Sequence, residues 1–111
     1  MKLNELIEKA SLTVINDAGN MQTEVAGGYT SDLLSDVMGN VGEGMVWITL
    51  QVHRNIIAVA SLKEVAAIVL IGGAELEDET LEQARKQGVT VLATEKPSFE
   101  TSGVIYGLLN R

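Results

Sequence analysis

Residues 66–71 constrain the fold more than any other segment of this chain. They are all apolar (AAIVLI), and Gly72 and Gly73 follow them directly. A strand that is covered on both faces has a continuous apolar sequence, and such strands are typical of parallel sheets. The run is far shorter than the ~20 residues that a membrane-spanning helix needs. It therefore predicts an inner strand of a parallel sheet.

Segments with helical spacing alternate with short β-rich segments along the rest of the chain. Residues 54–62 fit either a strand or a buried helix, and we favour a helix because a crossover must precede the next parallel strand. Thr30 is the predicted N-cap of the second helix. The predicted strands are 12–15, 23–26, 45–50, 66–71 and 89–93; the predicted helices are 3–10, 31–38, 54–62, 78–87 and 98–109. This alternation predicts an α/β fold with a mainly parallel sheet, in one domain of residues 1–111.

Composition excludes several classes of protein. The chain has no cysteine and one histidine, which rules out disulfides, zinc–cysteine sites, iron–sulfur ligation and two-histidine metal motifs. Its net charge of −7 argues against binding to nucleic acid. The acidic residues near position 78 are typical of a solvated helix start. Without a leader-like or membrane-spanning segment, we expect a cytoplasmic protein that has no membrane partner.

Known catalytic signatures are missing. The sequence contains no Walker-type phosphate loop, no G-x-G-x-x-G and no G-x-S-x-G. We predict no catalytic residue, no metal site and no cofactor. A role for His53 as an acid or base is the weakest hypothesis, because no partner acid is evident for it.

One constellation suggests a ligand site. Ligands of open parallel sheets bind beyond the carboxyl ends of the strands. Thr49, Gln51 and His53 would share one face if their strand continued, and Gly72–Gly73 would let backbone approach a ligand. Amides following Gly27–Thr30 would open a helix and favour an anion. The predicted ligand-binding residues are Gly27, Gly28, Tyr29, Thr30, Ser31, Asp32, Thr49, Gln51, His53, Arg54, Asn55, Gly72 and Gly73. Alternatively, these strand ends are polar only because they reach water.

Two further segments, the last helix and residues 56–60, bear on how the helices pack. Gly103 and Gly107 in the last helix are predicted to let that helix lie close to the sheet. The apolar residues 56–60 belong either to the core or to the interface of a two-fold dimer.

The chain resembles the DRTGG domain family. The resemblance rests on residues 27–38 (GGYTSDLLSDVM), 47–53 (WITLQVH), 59–63 (VASLK) and 67–73 (AIVLIGG). Residues 81–109 are also similar to the N-terminal domain of HPr kinase/phosphorylase. The resemblance implies a three-layer α/β/α sandwich that regulates other modules and has no established activity of its own.

The sequence departs from the family at the motif that names it. His53-Arg54-Asn55 stands where the family has Asp-Arg-Thr, whereas Gly72-Gly73 is kept. Loss of the Asp and Thr puts the family's binding site in doubt. Arg54 remains the best candidate to hold an anionic group. Alternatively, Arg54 pairs with Asp32 or Asp36.

These observations favour a non-catalytic regulatory or ligand-sensing domain. We expect it to form a homodimer and to bind a nucleotide or a phosphorylated metabolite. The alternative is a protein-interaction subunit of a metabolic or redox complex that has no small-molecule ligand.

Overall fold

The computed structural model of the protein describes residues 1–110, so Arg111 of the predicted domain lies outside the described residues. Ten elements follow one another along the chain. They are α1 (Leu3–Lys9), β1 (Thr13–Asn16), β2 (Gly27–Thr30), α2 (Leu34–Asn40), β3 (Met45–Thr49), α3 (Asn55–Lys63), β4 (Ala67–Leu70), α4 (Asp78–Gln87), β5 (Val91–Ala93) and α5 (Ser98–Leu109).

The strands form one sheet in the order β1-β5-β4-β3-β2. Strands β2 to β5 are parallel, and β1 pairs antiparallel with β5, which confirms the mainly parallel prediction. Each parallel strand lies beside its predecessor. Because such crossovers are right-handed, successive steps in one direction place α2, α3 and α4 on the same face of the sheet.

Side chains alternate between two cores on opposite faces of the sheet. Val46, Ile48 and Val69 belong to a core shared with α1 and α5. Trp47 and Ile68 belong to the other core, shared with α2, α3 and α4. All these residues are buried, so the structure has three layers, α/β/α, as the resemblance implies.

The helix prediction for residues 54–62 is confirmed by α3, whose Ile56, Ile57 and Ala60 are buried in the second core. This apolar segment therefore belongs to the core and not to a dimer surface. Residues 66–71 contain β4, which is buried throughout and paired on both sides. Gly88 ends α4 in the left-handed conformation, with φ of +68°.

Two predictions around β2 are wrong. Residues 23–26 form no strand, since only Glu24 makes an isolated bridge, to Lys2. The strand is Gly27–Thr30, and the following helix starts at Leu34 with Leu33 at its N-cap, so Thr30 caps nothing. Parallel pairing with β3 determines this strand and overrides the low β-propensity of its glycines.

The glycine prediction for α5 is also wrong. Gly103 and Gly107 are exposed, and a Cβ added to either would meet no atom within 4 Å. Thr101 and Ile105 are the buried positions of this helix and face the sheet in their place. Among residues 1–110, no helix has the length and apolar character needed to cross a membrane.

Candidate functional site

The carboxylate of Asp32, in the loop after β2, accepts hydrogen bonds from the end of β3. Thr49, the last residue of β3, is fully buried, and its hydroxyl donates to Oδ1 of Asp32 at 2.7 Å. The backbone N–H of Leu50 donates to the same oxygen at 2.8 Å. The ring N–H of Trp47 donates to the carbonyl of Ser31 at 2.9 Å. These bonds hold the carboxyl ends of β2 and β3 together.

Strand β3 ends at Thr49, close to its predicted end, so the condition under which Thr49, Gln51 and His53 would share one strand face is not met. The polar residues beyond it bond to one another within the β3–α3 loop. Gln51 donates its Nε2 to the carbonyl of Asp32 at 3.4 Å and accepts the backbone N–H of His53 on Oε1 at 3.1 Å. His53 accepts the N–H of Asn55 on Nδ1 at 3.1 Å, so it caps the start of α3. The loop uses these polar groups to fix its own conformation.

Gly72 and Gly73 adopt φ of +62° and +75°, a region that favours glycine. Their amides are already engaged: Gly72 donates to the carbonyl of Lys96 at 2.8 Å, and Gly73 to that of Thr94 at 3.1 Å. The pair therefore ties the loop after β4 to the loop after β5.

Arg54 lies elsewhere, in a groove of about 770 Å³ between α3 and α4. Asn55 and Lys86 line the same groove, together with Glu79 and Glu82. The carboxylate of Glu82 pairs with Arg85 at 3.0 Å. Within residues 1–110, Arg54 makes no ion pair with Asp32 or Asp36, so the alternative pairing is not observed.

Tyr29 and Thr30 face opposite layers. The Tyr29 hydroxyl contacts both carboxylate oxygens of Asp36 at 2.9 Å. The hydroxyls of Ser31 and Tyr29 hold the pKa of Asp36 below its ordinary value, and the bond to Asp36 raises the pKa of Tyr29. Thr30 shares a 2.8 Å hydrogen bond with Ser102 of α5.

Gly27, Gly28 and Thr30 line a cavity of about 460 Å³ against α5. Phe99 and Tyr106 form its outer wall and are 90% and 71% exposed. We call this surface, made of Gly27, Gly28, Phe99, Ser102, Gly103 and Tyr106, the α5–β2 face.

The predicted site residues thus share no single cavity: Arg54, Gly73 and Gly27 line three different ones among those described, and neither Thr49 nor Gly72 lines any of them. The strand order explains this. A crevice opens where successive crossovers lie on opposite faces, whereas α2, α3 and α4 share one face. The reversal from one face of the sheet to the other comes at β5, because the helix before it, α4, lies on one face and the helix after it, α5, lies on the other.

A cavity of about 330 Å³ does lie at that reversal, between the carboxyl ends of β4 and β5. Glu75, Thr94 and Glu95 line it, and none of the three was among the predicted site residues. Their loops follow apolar strands, but the sequence does not show that α5 crosses to the other face. Among residues 1–110, no three histidine or acidic side chains are grouped so that they could hold a metal ion.

Comparison with known proteins gives a family and similar solved structures. The family model of the DRTGG domain matches residues 5–108. The crystal structure of the CBS and DRTGG domains of the regulatory region of Clostridium perfringens pyrophosphatase, complexed with the activator diadenosine tetraphosphate, is similar with a TM-score of 0.73 at 20% identity. The match covers 95% of this chain and 46% of that one, so the chain spans less than half of its neighbour. No curated protein matches the sequence significantly.

Proposed function

Because the chain belongs to the DRTGG domain family, we propose that it is a non-catalytic regulatory domain that senses a nucleotide or a phosphorylated metabolite. The observation that carries this proposal is the groove between α3 and α4, which two cations, Arg54 and Lys86, line beside Glu79 and Glu82 on a chain of net charge −7. We place the domain in the cytoplasm, where such ligands are made.

The groove has the size and chemistry for such a ligand. Its volume of about 770 Å³ lies within the usual range of small-molecule pockets. A guanidinium binds two phosphate oxygens at once, and an ammonium adds a point charge. The side-chain amides of Asn55, Gln83 and Gln87 offer donors for further oxygens or a base. That the similar pyrophosphatase region was crystallised with a dinucleotide activator supports a nucleotide as the ligand class.

The other predicted site residues act indirectly in this proposal. Thr49, Gln51 and His53 hold the loop that delivers Arg54 to the groove, through the hydrogen bonds described above. His53 donates its backbone N–H and accepts on Nδ1 within that loop, so we assign it a structural role and no part in catalysis.

Isothermal titration with AMP, ATP, diadenosine tetraphosphate and inorganic phosphate tests the ligand proposal. Arg54→Ala and Lys86→Ala should each weaken nucleotide binding by about tenfold, because each removes a charge-assisted hydrogen bond. Lys9→Ala, on the exposed surface of α1, is the matched control for the lost charge. The absence of binding at millimolar concentration, or equal weakening by Lys9→Ala, would contradict the proposal.

The α5–β2 face favours a second function, as an interaction surface. Strand β2 is at the edge of the sheet, and an unpaired edge beside exposed aromatic rings is typical of an interface. The helix α5 has one charged residue, Glu100. Since the whole chain is strongly acidic, this nearly neutral face is where two copies meet with least repulsion. We therefore propose a two-fold homodimer through this face.

Light scattering coupled to size exclusion tests the dimer. The wild-type chain should elute with twice the mass of one chain, and Phe99→Glu should elute with the mass of one. Leu33→Glu is the control, because Leu33 is 65% exposed at a different place. A monomeric wild-type chain would exclude the dimer. A pull-down that depends on Phe99 would then indicate a protein-interaction subunit.

A further inference from the structure

The cavity between β4 and β5, which we call the switch-point cavity, plays no part in the proposed function. It has a volume of about 330 Å³. Its lining comes from β1, the ends of β4 and β5, the two loops that follow them, and α4. The lining residues are Thr13, Ile15, Leu70, Gly73, Ala74, Glu75, Leu76, Leu81, Ala93, Thr94 and Glu95.

Topology makes this the natural crevice of the sheet. The chain leaves β4 toward α4 on one face and leaves β5 toward α5 on the other. The two loops therefore diverge at the carboxyl ends of neighbouring parallel strands, where ligands of open sheets bind. Only the backbone bonds from Gly72 to Lys96 and from Gly73 to Thr94 cross between them.

The lining is acidic at the mouth and apolar within. Glu75 and Glu95 are exposed, and no lysine, arginine or histidine lines the cavity. Ile15, Leu76 and Leu81 supply the apolar walls. An anionic ligand would therefore meet two carboxylates and no cation, whereas an organic cation would find charge complementarity beside a surface for its hydrocarbon part.

Gly73 leaves room for one of these carboxylates. A Cβ at Gly73 would lie 2.6 Å from Oε2 of Glu95, so the carboxylate occupies space that a side chain at this position would take. The same glycine has φ of +75°, which disfavours a side chain independently. The Glu95 carboxylate therefore lies directly beside the backbone of the β4 loop, at the lining of the cavity.

We propose that the switch-point cavity binds a small organic monocation, an ammonium or guanidinium group on an apolar body. Glu75 and Glu95 bind the charged group, and the walls around Leu76 and Leu81 contact the hydrocarbon. A bare metal ion fits less well, because the described residues place no group of three acidic or histidine ligands together.

Amide chemical-shift mapping on the full chain tests this site, with benzylammonium as the probe and benzyl alcohol and benzoate as its neutral and anionic counterparts. Benzylammonium should shift the amides of Gly73, Ala74 and Thr94 and should bind far better than the other two. Glu95→Gln should weaken its binding by about tenfold, since one charge-assisted hydrogen bond is lost. Glu43→Gln, which changes an exposed carboxylate outside the cavity, should leave binding unchanged.

Several outcomes would overturn the site. They are equal binding of benzyl alcohol, unchanged binding by Glu95→Gln, no binding of the ammonium probe, and shifts confined to other surfaces. Magnesium chloride that saturates the same amides would identify a metal site instead. Both glutamates are exposed, so the variants are expected to fold, which the dispersion of their amide spectra checks directly.

Discussion

Removal of the Asp32 carboxylate should destabilise the fold out of proportion to its exposed position. In Asp32→Ala, the buried hydroxyl of Thr49 still accepts the N–H of Gln51 but loses the acceptor for its own proton, and a buried donor without a partner costs about 1–3 kcal/mol. The N–H of Leu50 loses the same oxygen, but Leu50 is 50% exposed, so water replaces that bond. We therefore expect a loss of about 2 kcal/mol in the free energy of unfolding.

The corresponding fall in melting temperature follows from chain length. For 111 residues the entropy of unfolding is about 0.23 kcal/mol per kelvin, so Tm should fall by about 9 °C. Thr49→Val removes the hydroxyl that needs the acceptor, and also the acceptor of the half-buried Gln51 N–H, so it should cost about 1 kcal/mol. In the Thr49→Val background, Asp32→Ala should have little further effect, and this coupling is the specific signature of the pair.

Urea unfolding, followed by the fluorescence of Trp47, measures these changes. Trp47 is fully buried and is the single tryptophan of the chain, so its emission reports the folded core. Glu43→Ala removes an exposed carboxylate with no hydrogen bond described to it and is the control for charge. An Asp32→Ala variant as stable as the control, or strictly additive effects in the double variant, would contradict the proposed role of the Asp32–Thr49 hydrogen bond.

Three further predictions concern backbone strain, pH and packing. Gly73→Ala and Gly19→Ala should each destabilise the fold by about 1 kcal/mol, because both positions have positive φ and the one atom that a Cβ at Gly73 would displace is the mobile end of the exposed Glu95 side chain; widely different denaturation midpoints would contradict this. Neighbouring hydroxyls lower the pKa of Asp36 below its ordinary value of 3.8, so its charge stabilises the fold above pH 3.8 and that contribution is lost as pH falls through the lowered pKa; Asp36→Asn should flatten the acid side of the stability–pH profile. Ile56→Ala should cost about 3 kcal/mol and Ile56→Val about 1, measured by urea unfolding, because this side chain is fully buried.

Sequence patterns predicted most of the layers correctly, because the deciding information is local. The apolar run at 66–71 has the pattern of a buried strand and of no other element. The charged face of α4 and the Gly88 that ends it have the spacing and the cap of a helix. Strand β2 was misplaced because Gly27 and Gly28 have low β-propensity by themselves. Its position depends on pairing with β3, which is a tertiary contact.

The site was harder to predict because partner choice and strand order are not local. The spacing of Thr49, Gln51 and His53 is compatible with an extended strand, and nothing local shows that Asp32 captures the Thr49 hydroxyl. Gly72 and Gly73 are conformationally necessary, as predicted, but their amides tie two loops together. The crevice lies at β5, where it was not predicted, because the chain crosses to the other face of the sheet after that strand.

The antiparallel pairing of β1 with β5 has a consequence for how the chain acquires its structure. Residues 13–16 gain their sheet partner only when residues 91–93 are present, and α1 packs against α5. Strands β2, β3 and β4 each pair with the next strand along the chain across a single helical crossover, so they are the natural nucleus. During synthesis, α1 and β1 therefore remain exposed until the last third of the chain has left the ribosome, and they are the last elements to join the sheet and its core.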